Sequence, residues 1–468
     1  MRSPKLFGSR AMAAAVCLAC CLFCGQAELL AENASSAYRE VRRLIDEGRY
    51  TDAERLIGAQ LQQHLSDPVG IGVLALILDF EGRHGEAEVC FQKGLRMAPD
   101  SIFLLNNLGR HYVSLKRFPE ARDAFAKALA LDASNAFALL ELAQLDLNIG
   151  KPGTALDYLN RLPGSVAEQS TTVLLRARAL HLSGDDTTAA NLLDKMEASG
   201  PSRASLYFSA GLLLAECRRY REAQRAFVRA LDADPASFNI QYNLGVASAE
   251  AGDLDRAREI FEHALARRSD DVDCMLQLAL VYQQKLDFDR SLPILMRATV
   301  LAPKRLDILA AIAFATEKLG MYGDTAQAWD RYLQIQPDDD IARREKGFAL
   351  ASGDDHPEKG LEDLRWFQRK HPQDVKGLYE LAIAEAVEQP DRALEHLNTA
   401  VQEKPDSLPA RYARASLEYQ DGKLQQAEED AEYVVKSAPD NVRAITLLAR
   451  IDLRANHAER ALKSLAEG

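Results

Sequence analysis

Residue types that could carry out acid–base, nucleophilic or metal chemistry are scattered through the 468-residue sequence. A phosphate site, a thiol redox site and a zinc protease site each need a short motif: a glycine-rich loop ending in Gly-Lys, a Cys-x-x-Cys pair, or His-Glu-x-x-His on a helix. From residue 28 onward the sequence contains none of these. The nine histidines are His64, His84, His111, His181, His263, His356, His371, His396 and His457. None repeats the spacing of a known metal site. We therefore expect no catalytic residue, no cofactor and no metal.

Two acidic clusters are the remaining candidates for a cation site. They are Asp270-Asp271 and Asp338-Asp339-Asp340. Each lies just before a segment with helical periodicity, where a carboxylate can cap the first turn and is stabilised by the helix dipole. We interpret both clusters as helix caps and not as calcium ligands.

The elements that would position any site follow a 34-residue period. Counting from Ala223 in steps of 34, with a slip of one residue at Gly360 that is regained at Ala393, places a small residue at every step. These residues are Ala53, Ala87, Ala121, Ala155, Ala189, Ala223, Ala257, Ser291, Thr325, Gly360, Ala393, Ala427 and Ala461. A repeat of this length predicts a solenoid of supersecondary units and not a set of globular domains.

Two further positions keep the same register. The fourth residue after each small one is usually large and apolar, as at Phe91, Phe125 and Phe227. Proline often stands twelve residues after the small one, where it ends the preceding helix, and residues such as Asp100-Ser101 then cap the next helix. The pattern predicts helix, turn, helix, proline and cap in each unit.

The clearest unit runs from Ala204 to Pro235. Apolar residues recur at helical spacing on both sides of the polar segment Arg218 to Arg221. The unit is therefore predicted to be an antiparallel helical hairpin. Two helices of this length cannot bury a core alone, so each hairpin needs its neighbours.

This period and pattern resemble the tetratricopeptide repeat family over residues 34–468. Two segments match the family well. Asn107-Leu108-Gly109 is followed by Tyr112, Ala121, Phe125 and Ala128, and Asn243-Leu244-Gly245 is followed by Ala257, Phe261 and Ala264. The resemblance implies an all-α fold, an α-solenoid that forms a right-handed superhelix of 34-residue helix–turn–helix repeats. It also implies a protein-binding role and no catalysis.

In this family the first helix of each hairpin lines a groove, which the resemblance carries over to this chain. The groove residues that it implies are Phe103, Asn106, Arg110, Gln144, Arg178, Phe208, Asn239 and Tyr242. They depart from the Lys/Asn clamp with which some members hold a carboxyl terminus. We expect an extended or helical segment of a partner protein, held by apolar contacts and a few amide hydrogen bonds. The alternative is that these residues only pack against one another.

The predicted organisation has five parts. They are a signal peptide at 1–27, a linker at 28–33, repeats 1–9 at 34–339, a divergent repeat 10 at 340–373, and repeats 11–13 at 374–468 with a truncated last unit. The last unit has no polar capping helix, so we expect Leu462 and Leu465 to be partly exposed or to meet a partner.

The first 27 residues have a basic start, a 14-residue apolar run from Ala11 to Cys24, and small residues before Glu28. These are the three parts of a secretory signal peptide, and the run is too short for an ordinary membrane span. Cleavage after Ala27 is our first interpretation. A lipoprotein signal around Leu18 to Cys21 and an uncleaved anchor are alternatives. The expected location is periplasmic or secreted, and membrane attachment is expected only through the N-terminus.

The formal net charge is −12, and it becomes −15 after residue 27 because the first 27 residues hold three basic residues and no acid. Such an acidic chain is not expected to bind nucleic acid. The predicted function is a non-catalytic scaffold for a protein or peptide partner that assists assembly of a complex. The alternatives are a structural protein that self-associates through the C-terminal repeat, and an accessory subunit of an envelope enzyme such as a glycosyltransferase.

Overall fold

The computed structural model describes residues 36–64, 66–197, 202–353 and 357–467. The predicted signal peptide and linker lie outside the described residues. The chain divides into two compact units, residues 1–260 and 261–468, with the boundary inside one helix.

In unit 1 the helices follow one another as pairs, interrupted once by the four-residue helix α9. They are α1 Ser36–Asp46, α2 Tyr50–Gln63, α3 Pro68–Phe80, α4 His84–Met97, α5 Ile102–Ser114, α6 Phe118–Leu131, α7 Ala136–Asn148, α8 Pro152–Asn160, α9 Gly164–Ala167, α10 Ser170–Leu182, α11 Asp186–Asp194, α12 Arg203–Glu216, α13 Tyr220–Ala233, α14 Phe238–Glu250 and α15 Leu254–Arg267. α15 continues into unit 2.

Unit 2 continues with six further pairs. They are α16 Val272–Gln284, α17 Phe288–Leu301, α18 Leu306–Lys318, α19 Tyr322–Ile335, α20 Asp340–Ser352, α21 Pro357–Lys370, α22 Val375–Glu385, α23 Pro390–Glu403, α24 Leu408–Gln420, α25 Leu424–Ser437, α26 Val442–Arg454 and α27 Ala458–Glu467. The pairs, numbered here as hairpins 1–13 in chain order, confirm the prediction of an all-α solenoid of helical hairpins.

The repeating small residues are buried in every hairpin, and the large residue four positions later is buried in hairpins 1–11. The small residues at Ala53, Ala223 and Ala393 are fully buried, as are the large residues Phe91 and Phe227. Glycine on the first helix makes room for the large ring. A Cβ on Gly109 would lie 2.5 Å from the Phe125 ring, and one on Gly211 would lie 2.6 Å from the Phe227 ring. Gly109 of the Asn107-Leu108-Gly109 signature, and Gly211 at the equivalent position of hairpin 6, therefore allow the two helices of each hairpin to approach closely.

Gly360 takes the small position where the period slips, in hairpin 10. A Cβ there would lie 2.4 Å from the backbone nitrogen of Ala351 and 2.5 Å from the carbonyl oxygen of Gly347. Backbone atoms cannot move aside as the end of a side chain can. Glycine thus lets α20 and α21 pack closer than alanine would allow.

Short polar side chains cap the first helices, as the sequence predicted. Asp271 Oδ1 accepts a hydrogen bond from the backbone N–H of Cys274 at 2.9 Å, and Asp339 Oδ1 accepts one from Ala342 at 3.0 Å. Each aspartate satisfies an N–H group that the first turn leaves unpaired. One residue in each of the two acidic clusters therefore has the predicted capping role.

The turn inside most hairpins contains one residue in the left-handed backbone region. Glycine usually occupies it, but Leu286 does so between α16 and α17 with φ of 60°. This leucine is 76% exposed, so it gains little from packing there. A Cβ in this conformation is close to the following carbonyl oxygen, which costs about 1–2 kcal/mol.

Replacing Leu286 with glycine is therefore expected to raise the free energy of unfolding of this region by about 0.5–1 kcal/mol. Urea unfolding combined with hydrogen exchange of hairpin 8 measures the change. Leu286→Ala keeps the Cβ and is the matched control, for which no gain is expected. An equal gain in both variants would show that the leucine side chain, and not its backbone conformation, is the cause.

Three cysteines fall in the described part of the chain. Cys90, Cys217 and Cys274 are free thiols in hairpins 2, 6 and 8.

Leu462 and Leu465 on α27 are 70% and 52% exposed, as predicted. Among the described residues, none of the helices has both the length and the apolar character needed to cross a bilayer.

Candidate functional site

All eight predicted groove residues lie on the first helices of hairpins in unit 1. Phe103, Asn106 and Arg110 are on α5, Gln144 is on α7, Arg178 is on α10, Phe208 is on α12, and Asn239 and Tyr242 are on α14. The set divides by exposure into two buried residues, five partly exposed residues and one exposed residue. The buried residues pack inside the repeats, whereas the partly exposed and exposed residues lie at the surface.

Asn106 and Tyr242 are the buried members, with 3% and 7% of their surfaces exposed. Asn106 Nδ2 donates to Asn135 Oδ1 at 3.2 Å, and the same oxygen caps α7 by accepting from the backbone N–H of Ala138. Asn106 therefore ties hairpin 3 to the start of hairpin 4. A contact with a ligand stays a prediction for both residues, and their burial gives each a packing role first.

Phe103, Arg110, Gln144, Arg178 and Phe208 are partly exposed. Phe208 packs against Phe227 with ring centroids 5.8 Å apart, and Gln144 Nε2 donates to Asn148 Oδ1 at 3.0 Å. These contacts hold Phe208 and Gln144 in place while part of each side chain stays exposed. Asn239 is exposed, and its carbonyl oxygen accepts a hydrogen bond from Asn243 Nδ2 at 2.8 Å.

Arg110 lies near Glu141 on α7, a residue that the sequence analysis did not select. Burial lowers the pKa of Arg110, against the opposing effect of the Glu141 and Asp79 carboxylates. Burial also raises the pKa of Glu141, and Arg110 opposes that shift. Both side chains are nevertheless partly open to solvent. Arg110 and Glu141 are therefore partly desolvated groups on an accessible surface.

We call this surface the first-helix groove and define it by Phe103, Arg110, Glu141, Gln144, Arg178 and Phe208. It offers apolar rings, a guanidinium donor, a carboxylate acceptor and an amide. These groups can hold the side chains of a peptide and hydrogen-bond its backbone.

An open cavity of about 720 Å³ lies between α13 and the start of α15. Arg221, Arg225, Arg229 and Arg256 line it together with one acid, Asp253. The spacing of four residues from Arg221 through Arg225 to Arg229 is a signal in the sequence for one basic helix face. Arg225 is already paired, with Nη2 2.8 Å from Asp194 Oδ1.

Three groups of possible metal ligands occur within the described residues, each with its ligand atoms within 4.8 Å of one another. They are Asp79 with His84 and His111, His181 with Asp186 and Cys217, and Glu428 with Asp452 and His457. In the first group, His84 and His111 each place Nδ1 against the same oxygen of Asp79, at 2.6 and 2.9 Å. Burial would raise the pKa of Asp79, but these hydrogen bonds hold it below its usual value.

Family models described as tetratricopeptide repeat match residues 71–101, 102–135, 208–272 and 383–442. These matches fall on hairpins in both units. The chain contains tetratricopeptide repeats.

Curated relatives of this repeat protein match at low identity. The human protein O-mannosyl-transferase TMTC3 is 22% identical over 274 residues, which is 58% of this chain and 26% of that protein. Tetratricopeptide repeat protein 8 of Caenorhabditis elegans is 23% identical over 207 residues, which is 43% of this chain and 41% of that protein. The chain thus spans less than half the length of either relative.

Solved structures also resemble it. A tetratricopeptide repeat protein from Parabacteroides merdae aligns with a TM-score of 0.48 and 14% identity, over 54% of this chain and 99% of that one.

Proposed function

We propose that this repeat protein is a non-catalytic adaptor that holds a segment of a partner protein in the first-helix groove of unit 1 and so assists assembly of a complex. The observation that carries the proposal is the pair Arg110 and Glu141. Both are desolvated and both remain open to solvent.

The physical argument concerns the low polarity around the pair. Hydrogen bonds and ion pairs are stronger where water is partly excluded, so Arg110 and Glu141 can bind backbone or side-chain groups more tightly than freely exposed residues can. Phe103, on the same helix as Arg110, and Phe208, on α12, add apolar contact area with few rotamers to fix on binding. Such a mixture suits an extended or helical peptide.

The groove is tested by photo-cross-linking in the native cells with the full chain. Benzoylphenylalanine at Gln144 or Arg178 is expected to cross-link a discrete partner protein. The same probe at Lys127, an exposed residue on the second helix of hairpin 3, is the control and is expected to yield none. Adding Arg110→Ala should reduce the yield at Gln144 about tenfold, the loss expected for a charged hydrogen bond. Equal capture at Lys127 would move binding away from the groove.

We further propose that the adaptor works in an exported compartment, either a periplasm or outside the cell. The basic and apolar residues of 1–27 support this proposal. N-terminal sequencing of the purified native protein is expected to begin at Glu28. A lipid-modified cysteine would replace this proposal with an outer-membrane lipoprotein, and a start at Met1 would favour an uncleaved anchor or an unexported chain.

Two further roles each have one observation in their favour. The match to a protein O-mannosyl-transferase supports an accessory subunit of a glycosyltransferase, and co-purification of a transferase would test it. The exposed Leu462 and Leu465 on α27 support self-association. Sedimentation across micromolar concentrations separates that role from the adaptor role, because a persistent monomer excludes it.

A further inference from the structure

Three different metal-ligand types meet where hairpin 5 packs on hairpin 6. His181 lies at the end of α10, Asp186 begins α11, and Cys217 caps the end of α12. His181 Nδ1 is 2.7 Å from Asp186 Oδ1 and 3.5 Å from Cys217 Sγ. All three ligand atoms lie within 4.8 Å of one another. The residues are up to 36 positions apart in sequence, so only the stacking of the hairpins brings them together.

We propose that His181, Asp186 and Cys217 form a binding site for Zn²⁺ that fastens hairpin 5 to hairpin 6. Imidazole nitrogen, carboxylate oxygen and thiolate sulfur are the three ligand types that zinc uses in proteins. With ordinary zinc bond lengths and tetrahedral angles, nitrogen and sulfur ligands stand about 3.6 Å apart, and nitrogen and oxygen ligands about 3.4 Å apart. The His181–Cys217 separation already fits, and the His181–Asp186 hydrogen bond must lengthen.

The other ring nitrogen of His181 faces a second carboxylate. Glu216 Oε2 is 3.8 Å from His181 Nε2. Histidines that bind a metal through one nitrogen commonly donate their other ring N–H to a carboxylate, which fixes the ring and its tautomer. Glu216 is half-exposed and free to move closer. It would orient the imidazole and would not bind the metal itself.

The charges around the site also favour a cation. Cys217 has the carboxylates of Asp186 and Glu216 nearby. Arg219 is the neighbouring cation, but its guanidinium is bound to Glu222 at 2.5 Å. Zinc would displace the thiol proton into solvent, form the Zn–S bond and offset the acidic charge.

The short second helix of hairpin 5 gives a structural reason for a metal at this junction. α11 and α8 have nine residues each, whereas α4, α6 and α13 each have fourteen. The second helix of hairpin 5 is therefore shorter than the second helices of hairpins 2, 3 and 6. A metal held by both hairpins would add a second link to the apolar core that they share.

Cobalt(II) is the probe, because a Co²⁺–thiolate bond gives a near-ultraviolet charge-transfer band. The test uses the full chain, without a histidine tag, with Cys17, Cys20, Cys21 and Cys24 replaced by serine. Addition of Co²⁺ is expected to produce the band, and Zn²⁺ to abolish it by displacement. Cys217→Ser should lose it, whereas Cys274→Ser and Cys90→Ser should keep it. The other two ligand groups contain no sulfur, so cobalt bound there gives no such band.

A second measurement tests whether Zn²⁺ stabilises the folded protein. Zn²⁺ is expected to raise the Tm of the parent protein and of Cys274→Ser, but to raise that of Cys217→Ser and His181→Gln much less. Circular dichroism confirms that the variants fold. Absence of the cobalt band from the parent protein, or its survival in Cys217→Ser, would overturn the proposal. Neither outcome bears on the groove, whose cross-linking test needs no metal.

Discussion

Replacing Asp430 with alanine is expected to lower the free energy of unfolding of hairpin 12 by about 3–5 kcal/mol. Asp430 on α25 is 2% exposed and accepts hydrogen bonds from two arginines of α24. Arg411 Nη1 is 2.5 Å from Oδ1, and Arg414 Nε is 2.6 Å from Oδ2. Its removal leaves two largely buried guanidinium groups without their shared counter-ion. Urea unfolding, with hydrogen exchange to localise the loss, is the measurement.

Glu429, the preceding residue on the same helix, provides the matched control because its side chain is exposed. Glu429→Ala is expected to change the free energy of unfolding by no more than about 0.5 kcal/mol. A combined replacement of Asp430, Arg411 and Arg414 by leucine or methionine should recover much of the loss, since apolar residues can fill the space of a buried ion pair. A similar cost for Asp430→Ala and Glu429→Ala would contradict the argument.

The hairpin order and core were predictable because both depend on local spacing. A small residue every 34 positions marks the contact between the two helices of a hairpin, and the residue four positions later lies on the same helix face. The structure buries Ala121 and Phe125 fully, and it buries Trp329 to 7% exposure as the same rule required. The caps at Asp271 and Asp339 were predictable for the same reason.

The turn residues with a left-handed backbone were only partly predictable from the sequence. Gly82, Gly150 and Gly252 lie at steps of the same 34-residue period, but Arg218 and Leu286 adopt the same conformation without glycine. Neighbouring helices fix the turn geometry there, so tertiary packing overrides the local preference of the residue. A sequence pattern that looks for glycine alone misses these positions.

The exposure of the groove residues was harder to predict than the burial of the core. A rule based on position in the repeat selected Asn106 and Tyr242, which are buried, and passed over Glu141, which is desolvated beside Arg110. Which side of a first helix stays open depends on how closely the next hairpin packs, and a single repeat does not encode that distance. The cluster of His181, Asp186 and Cys217 was missed for a related reason, since its members are separate in sequence and meet only through stacking.

Raising the pH from 5 to 8 is expected to destabilise hairpin 11 through Glu380 on α22. Burial, followed by the charge of Glu345, raises the pKa of Glu380 to about 7, against the effects of Arg344 and Lys376. These cations are close, with Arg344 Nε 2.9 Å from Oε2 and Lys376 Nζ 3.3 Å from Oε1. The side chain is only 3% exposed, so the loss of water around its charge outweighs both ion pairs.

Glu380 binds its proton more tightly in the folded chain than in the unfolded chain, so its contribution to stability falls as the pH rises. The folded chain holds the Glu380 proton up to about pH 7, whereas an unfolded glutamate releases it near pH 4.3. The stabilisation is therefore complete below the unfolded pKa and is lost as the pH rises through the folded pKa. A shift of this size corresponds to at most about 4 kcal/mol, of which about 3 kcal/mol is lost between pH 5 and pH 8.

Glu380→Gln keeps the shape of a protonated glutamate and removes the titration. Its stability relative to the parent protein should therefore rise between pH 5 and pH 8, and urea unfolding at both pH values gives this difference. Subtracting the two proteins cancels the pH dependence of all other groups to first order. Glu388→Gln, an exposed change in the turn after α22, should track the parent protein at both pH values. If Glu380→Gln also tracked it, the carboxylate would be ionised in the folded chain and the ion pairs, not burial, would set its protonation.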